Sequence, residues 1–112
     1  MHHALIVARM DPQATDDVAR IFAASDQGEL PHLVGVTRRR LFRYGPDLYL
    51  HLIETRQPPG PAIARATDHP AFHAVSDQLA AHIRPYDPAT WRTPQDAMAH
   101  CFYHWDNTTT TV

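Results

Sequence analysis

The sequence is poor in cysteine and glycine and has no long apolar run. Its single cysteine, Cys101, excludes an internal disulfide framework and a cysteine-only metal or iron–sulfur site within one chain, and it fits a reducing compartment. With only four glycines, the chain has neither a phosphate-binding glycine loop nor a dinucleotide fingerprint. The apolar start is too short for a signal peptide, and no stretch approaches the roughly 20 residues that span a bilayer. We therefore expect a cytoplasmic protein without a membrane partner.

Neither sign of charge dominates the sequence. Ten basic and twelve acidic residues give a formal net charge of −2, which argues against a dedicated nucleic-acid or membrane-surface binder. The length of 112 residues and a hydrophobic content of 44% suit one globular domain. No internal repeat or linker is visible. We predict one domain over residues 1–107 and a disordered tail over residues 108–112.

The first half of the chain switches between strand and helix signals. An aliphatic run over residues 4–10 predicts a strand, and Asp11 followed by proline predicts the cap and first turn of a helix. Helical spacing of apolar residues then continues over residues 12–26. Residues 32–44 carry β-branched and aromatic side chains, which predict a second strand, and residues 45–47 (Gly-Pro-Asp) predict a hairpin turn.

The second half repeats the alternation in a different order. Residues 48–54 predict a strand, and the proline-rich residues 57–61 predict a loop. Residues 68–83 have helical spacing and start with Asp68 as a candidate cap, and the apolar residues 97–105 predict the last strand. The order βαββαβ is that of an α+β, ferredoxin-like fold: an antiparallel four-stranded sheet with two helices on one face.

The strand over residues 48–54 is apolar on both faces. Alternation places its three leucines on one side and Tyr49, His51 and Ile53 on the other. We expect the leucines to lie under the helices. An exposed patch of large side chains is unfavourable in a monomer, so a second copy should cover the other face in a dimeric α+β barrel. Tyr49 and Ile53 would then line a substrate cavity between the two sheets; a flat interface without a cavity is the alternative.

Three polar positions are candidate catalytic residues. His51, on an apolar strand face, suits a general acid or base near neutral pH, or is a structural histidine with one hydrogen bond. At least one arginine of the triplet 38–40 should point inward, where a guanidinium stabilises an enolate; an edge strand with arginines in water is the alternative. Asp26 lies at a helix C-terminus, where a negative charge is unfavourable, so it is either a functional carboxylate or a solvated loop acid.

One pair of histidines has a spacing found among metal ligands. His69 and His73 are four residues apart in the second predicted helix, a spacing that suits zinc. The glutamate of the zincin motif and a third ligand are missing from this stretch. We therefore expect no metal.

Five stretches together resemble the tetracenomycin-type aromatic polyketide cyclases of bacterial type II pathways: "ALIVARMDP", "ELPHLVGVTRRRLFRY", "DLYLHLIE", "DHPAF" and "FYHW". The resemblance extends from about residue 4 to residue 105. It implies a ferredoxin-like homodimer that closes a ring in a poly-β-keto-derived intermediate by intramolecular aldol condensation and loss of water, without cofactor or metal. An acyl carrier protein is a further candidate partner.

The resemblance also implies site residues. Asp26, Arg39 and His51 are the expected catalytic group: Arg39 would stabilise an oxyanion, His51 would shuttle protons, and Asp26 would act as an auxiliary base or orient Arg39. The family pattern can have a histidine before the aspartate, and this sequence has Ser25 there.

Two other functions share this scaffold. Cofactor-independent monooxygenases also use a dimeric ferredoxin-like fold, and the fold alone does not separate them from cyclases. A non-catalytic ligand-binding or RNA-recognition module is the second alternative, and the acidic net charge weakens it.

Overall fold

The computed structural model describes residues 1–92, 94–105 and 107 of the chain. Four strands and four α-helices are found in this part of the chain: β1 (His2–Met10), α1 (Thr15–Ser25), α2 (Leu30–Val34), β2 (Val36–Tyr44), β3 (Leu48–Thr55), α3 (Pro59–Ala66), α4 (Pro70–Leu79) and β4 (Ile83–Pro85). One 3₁₀ turn, Pro12–Ala14, lies between β1 and α1, and another, Pro94–Ala97, follows β4. None of the helices in these residues is long and apolar enough to cross a membrane.

The strands form one antiparallel sheet in the order β2–β3–β1–β4. The helices cover one face of this sheet, with α1 packed against α4 and α2 against α3. This confirms the predicted α+β, ferredoxin-like architecture. The opposite face, which none of the helices in the described residues covers, is called the open face below.

The predicted starts of the first helical region and of the hairpin are confirmed. Asp11 caps the first 3₁₀ turn, where its carboxylate accepts a hydrogen bond from the backbone N–H of Gln13 at 2.9 Å. The hairpin between β2 and β3 turns at Gly45, whose positive φ of 62° suits a residue without a side chain. The cap of α4 is His69 rather than Asp68, because the His69 imidazole accepts from the N–H of Ala71 at 3.0 Å.

Two short helices occupy segments that were predicted as strand and loop. Helix α2 takes up residues 30–34, so β2 starts four residues later than predicted, at Val36. Gly35, with a φ of 78°, ends the helix in the left-handed conformation. Helix α3 begins inside the proline-rich segment that was predicted as loop, because proline is compatible with the first helical turn.

The predicted last strand over residues 97–105 is wrong. The strand that pairs with the outer edge of β1 is β4, only three residues long and too short to show a pattern. Of the predicted segment, Met98 forms a single bridge with Ile6, and the Ala99 N–H donates to the Leu5 carbonyl at 2.7 Å. The predicted disordered tail, residues 108–112, lies outside the described residues.

The two faces of β3 are assigned the opposite way to the prediction. Tyr49, His51 and Ile53 lie under the helices and are at most 5% exposed, whereas the three leucines are half-buried on the open face. Neighbouring β1 explains this choice, since Ala8 is the register partner of Tyr49 and Ala4 that of Ile53. These small alanines leave room for large side chains beneath the helices.

Candidate active site

A cavity of about 490 Å³ lies between the sheet and the helices of one chain. Apolar side chains from several elements form most of its wall: Ile6, Ala8, Phe22, Phe72, Leu79, Ile83 and Trp91. Its volume falls within the range of small-molecule sites, roughly 300–1,000 Å³. The expected position of Tyr49, in a cavity between two sheets of a dimer, is therefore wrong: Tyr49 lines a cavity beneath the helix layer of its own chain.

Strand β3 supplies the polar floor of the cavity. Tyr49 and His51 are two residues apart, so both side chains point to the helix side, and both line the cavity. Their ring centroids are 6.0 Å apart with the planes at 68°. Ser76 on α4 and Arg84 on β4 also line the cavity.

Three predicted residues from three elements form one hydrogen-bonded chain. Asp26 follows the last residue of α1, Arg39 lies on β2, and His51 lies on β3. The Arg39 guanidinium donates through Nε and Nη2 to the Asp26 carboxylate, with the shortest distance 2.8 Å. Its Nη1 lies 2.8 Å from Nε2 of His51. The carboxylate at the helix end is thus paired with a cation, which offsets its unfavourable position.

Phe22 packs against two members of this chain. Its ring centroid is 4.9 Å from the Arg39 Cζ and 4.9 Å from the His51 ring centroid, the latter in an edge-to-face arrangement at 66°. Only 13% of the Arg39 side chain is exposed. A guanidinium that lies against an aromatic face and is held by two partners has little freedom to reorient.

Burial sets the protonation states of the two polar floor residues. Burial, assisted by the positive charge of Arg39, lowers the pKa of His51 from 6.5 to about 3. Burial also raises the pKa of Tyr49 far above its usual value, and the Arg39 charge offsets only part of this rise. Both side chains are therefore uncharged at neutral pH.

The remaining predicted residues lie outside the cavity wall. Asp26 and Arg39 are behind His51, and neither is among the described residues that line the cavity. Ile53 is buried on the same face without lining it. Sequence reasoning missed Trp91, which lies between the predicted helix over residues 68–83 and the predicted strand over residues 97–105. Phe22 falls within the predicted helical region over residues 12–26, but the helical spacing gave no sign that this position borders a cavity.

Of the two histidines that suggested a metal site, His69 has other side-chain contacts. Nδ1 of His69 caps α4, and its Nε2 is 3.5 Å from a carboxylate oxygen of Glu29. Within residues 1–92, 94–105 and 107, no group of three or more His, Cys, Asp or Glu side chains is arranged to hold a metal ion.

Comparison with known proteins identifies relatives of the whole chain. The polyketide synthase CurG of Streptomyces cyaneus is 58% identical over 106 residues, which cover 95% of this chain and 98% of that protein. Tetracenomycin F2 cyclase of Streptomyces glaucescens is 40% identical over 104 residues, which cover 93% and 94% of the two chains. Its solved structure, described as that of a type II polyketide cyclase, matches with a TM-score of 0.87 over 95% of this chain and 98% of that chain.

A more distant solved structure shares the fold alone. SnoaB, a cofactor-independent oxygenase from Streptomyces nogalater, is 19% identical and matches with a TM-score of 0.53 over 75% of this chain and 86% of that one. The family model described as polyketide synthesis cyclase matches residues 2–106. The chain therefore belongs to the polyketide synthesis cyclase family.

Proposed function

We propose that the protein closes a ring in a poly-β-keto-derived intermediate of a bacterial type II polyketide pathway, by regiospecific intramolecular aldol condensation followed by dehydration and aromatisation. The observation that carries this proposal is the apolar cavity, whose floor presents the uncharged polar side chains of Tyr49 and His51. Such a cavity suits a flat, oxygen-bearing, largely apolar molecule. The 40% identity with tetracenomycin F2 cyclase supports the substrate class.

The proposed reaction balances without a redox partner. A methylene between two carbonyls loses a proton to a water molecule to give an enolate, and the enolate carbon forms a bond to a ketone carbon. The ketone oxygen takes up a proton from the resulting hydronium and becomes a hydroxyl, so the solvent carries the proton between the two sites. That hydroxyl then leaves with a neighbouring hydrogen as water, and the new double bond completes the aromatic ring. The methylene is acidic because two carbonyls flank it, so no strong base is required.

Much of the catalysis would come from holding one folded conformer of the substrate. Fixing two reacting groups of one molecule at bonding distance converts a rare encounter into a frequent one. Apolar walls from both layers of the fold, such as Phe72 on α4 and Ile6 on β1, restrict how a flat intermediate enters. A cavity that acts as a template also decides which ring is closed.

Asp26, Arg39 and His51 are proposed to act as one group in which only His51 meets the substrate. Arg39 orients the imidazole and places a positive charge behind it, and Asp26 orients Arg39. The proton shuttle expected for His51 would require the imidazolium, which a pKa of about 3 keeps scarce at neutral pH. Electrostatic stabilisation of a developing enolate fits the arrangement better.

Reconstitution with a minimal type II synthase tests the proposed reaction. We expect the wild-type protein to change the ring pattern of the product. Ser76→Phe, which narrows the cavity, should abolish this change, whereas the matched variant Asp77→Phe on the neighbouring position outside the cavity wall should retain it. Two other outcomes would identify the alternative functions. Oxygen consumption with a hydroxylated aromatic substrate would identify a monooxygenase, and binding without any change in product would identify a ligand-binding module.

The acyl carrier protein is tested as a partner by comparing the reaction of free substrate with that of carrier-bound substrate.

A homodimer is part of the proposal, and the open face supports it. The three leucines of β3 lie there beside Phe42, which is 49% exposed, and Tyr44, which is 73% exposed. Charged groups at the edge of this surface are paired within the chain, as in Arg38 with Glu54 and Asp47 with two arginines. Arg40, the register partner of Leu52, is exposed on this face and has no ion-pair partner among the described residues. The centre around Leu50 is apolar, which suits a second copy of the same surface.

Light scattering on the purified chain tests the homodimer. Leu50 lies at the centre of the open face, between its register partners Val7 and Phe42. Leu50→Glu should convert a dimer to a monomer, because two like charges would face each other in an apolar interface. Gln78→Glu, on the exposed side of α4, is the matched charge control. A monomeric wild-type protein would refute the dimer but would not affect the proposal for the cavity, which lies within one chain.

We also propose a cytoplasmic location, which cell fractionation tests.

A further inference from the structure

The hydrogen bond between Arg39 and His51 fixes the tautomer of the imidazole. A guanidinium has only N–H donors, so Nε2 of His51 must be the acceptor at 2.8 Å. A neutral imidazole that accepts at Nε2 carries its proton on Nδ1. His51 therefore has one N–H left to donate.

That remaining N–H is available to the cavity. Nδ1 of His51 has no hydrogen-bond partner in residues 1–92, 94–105 and 107. In the same residues, no side-chain nitrogen or oxygen that is sealed from solvent lacks a partner. Because His51 is 5% exposed and lines the cavity, the accessible part of Nδ1 is reached from there.

The hydroxyl of Tyr49 is in the same situation. It has no hydrogen-bond partner in the described part of the chain, it is not sealed from solvent, and the residue is 3% exposed and lines the cavity. Burial keeps the pKa of Tyr49 high and that of His51 low, so neither side chain is ionised at neutral pH. The floor of the cavity thus offers two neutral donors without internal partners.

We propose that the Nδ1–H of His51 and the hydroxyl of Tyr49 donate hydrogen bonds to two oxygens of one substrate molecule, so that Tyr49 is a second catalytic residue. This inference rests on the proposed function for the substrate class: a poly-β-keto chain carries oxygens on alternate carbons, and two of them can meet two donors on one strand. Side chains two residues apart on a strand have Cα atoms roughly 6–7 Å apart.

Each donor keeps its proton throughout. As the enolate forms, negative charge develops on an oxygen, and a fixed N–H or O–H in an apolar cavity stabilises it more strongly than in water. The charge of Arg39 polarises the imidazole N–H from behind, which makes Arg39 a positioning residue that acts through His51. No proton leaves either donor, and the charge on the substrate oxygen disappears when that oxygen regains its carbonyl or phenol form.

Binding of two matched probes tests the donor pair in the purified protein. One probe is a dihydroxynaphthalene whose hydroxyls lie on alternate ring carbons, and the other is naphthalene, which has the same shape without oxygens. Quenching of Trp91, which lines the cavity, reports binding. Tyr49→Phe should weaken the dihydroxynaphthalene about tenfold, the typical value of one hydrogen bond, and leave naphthalene unchanged. Tyr86→Phe, at an exposed position outside the cavity, is the matched control and should change neither.

Nuclear magnetic resonance of ¹⁵N-labelled histidine tests the role of Arg39. In the wild-type protein, Nδ1 of His51 should carry the proton and Nε2 should be unprotonated at neutral pH. Arg39→Met should shift the proton toward Nε2 and weaken the dihydroxynaphthalene while sparing naphthalene. An Nε2-protonated wild-type His51 would overturn the assigned tautomer.

The two proposals fail in different ways. If Tyr49→Phe weakens both probes equally or neither, the donor pair is wrong, and a positive reconstitution would still support the cyclase. If reconstitution shows no cyclisation but Tyr49→Phe weakens only the oxygenated probe, the donor pair stands as a binding site for oxygenated aromatic molecules.

Discussion

The buried, neutral His51 predicts how the stability of the protein depends on pH. Its pKa is about 3 in the folded chain and 6.5 in the unfolded chain. The histidine contribution is therefore fully present above pH 6.5 and is lost as the pH falls, because the unfolded chain binds a proton that the folded chain does not. Each pH unit below 6.5 costs about 1.4 kcal/mol. Between about pH 7.5 and about pH 5, His51 alone should lower the free energy of unfolding by about 2 kcal/mol.

Urea unfolding at a series of pH values measures this effect. His51→Gln retains an acceptor for Arg39 but does not titrate, so its free energy of unfolding should fall by about 2 kcal/mol less than that of the wild type over the same range. Subtracting the two curves removes the groups that they share. Gln78→Asn, at an exposed position on α4, is the control substitution and should keep the wild-type pH dependence. Parallel curves for wild type and His51→Gln would show that folding does not lower the pKa of His51, which would contradict the burial of a neutral imidazole.

Three further changes test the fold by urea unfolding at neutral pH. Arg39→Gln should lower the free energy of unfolding by about 1–2 kcal/mol, because the partly exposed Asp26 loses its charged partner; an unchanged value would show that this pair adds nothing. Gly35→Ala should cost about 1–2 kcal/mol because φ is 78°, whereas Gly60→Ala in α3 should cost nothing; equal values would contradict the left-handed assignment. Phe22→Leu should cost about 1–2 kcal/mol, since the ring that packs against the guanidinium and imidazole is lost; wild-type stability would argue against these contacts.

The sequence predicted the strand–helix order correctly because each long element has its own periodicity. The alternation over residues 48–54 also showed that Tyr49, His51 and Ile53 share a face. It did not show which face the helices cover, since both sets are apolar. That choice depends on the alanines of β1, which are neighbours in the sheet and not in the chain.

The errors at the sheet edge have a similar cause. A strand needs a pairing partner, and the partner of the outer β1 edge is the three-residue β4, which follows α4 directly. The later segment is apolar, but among its residues 97–105 only Met98 makes a bridge. The composition of residues 97–105 predicts an extended segment, but it does not show whether the edge of β1 is free to pair with that segment.

The sequence predicted three residues of the candidate site but not how they are arranged. Asp26 and His51 were singled out from their unusual positions, and Arg39 was chosen within the arginine triplet through the resemblance to the polyketide cyclases. The structure places the three in contact. The order of contact, with the cation behind the imidazole, follows from side-chain directions on two strands and from the end of α1. No spacing in the sequence encodes it.

The position of Arg39 has a consequence for which molecules the cavity accepts. Its charge is neutralised by Asp26 on one side and screened from the cavity by the imidazole on the other. Arg84 also lines the cavity, but it is paired with Asp47. An ionised acid would therefore find no unpaired arginine among the described residues of the cavity wall, whereas a neutral ketone or phenol needs only the two donors. Uptake of neutral ligands should accordingly be insensitive to ionic strength, because no long-range attraction brings them in.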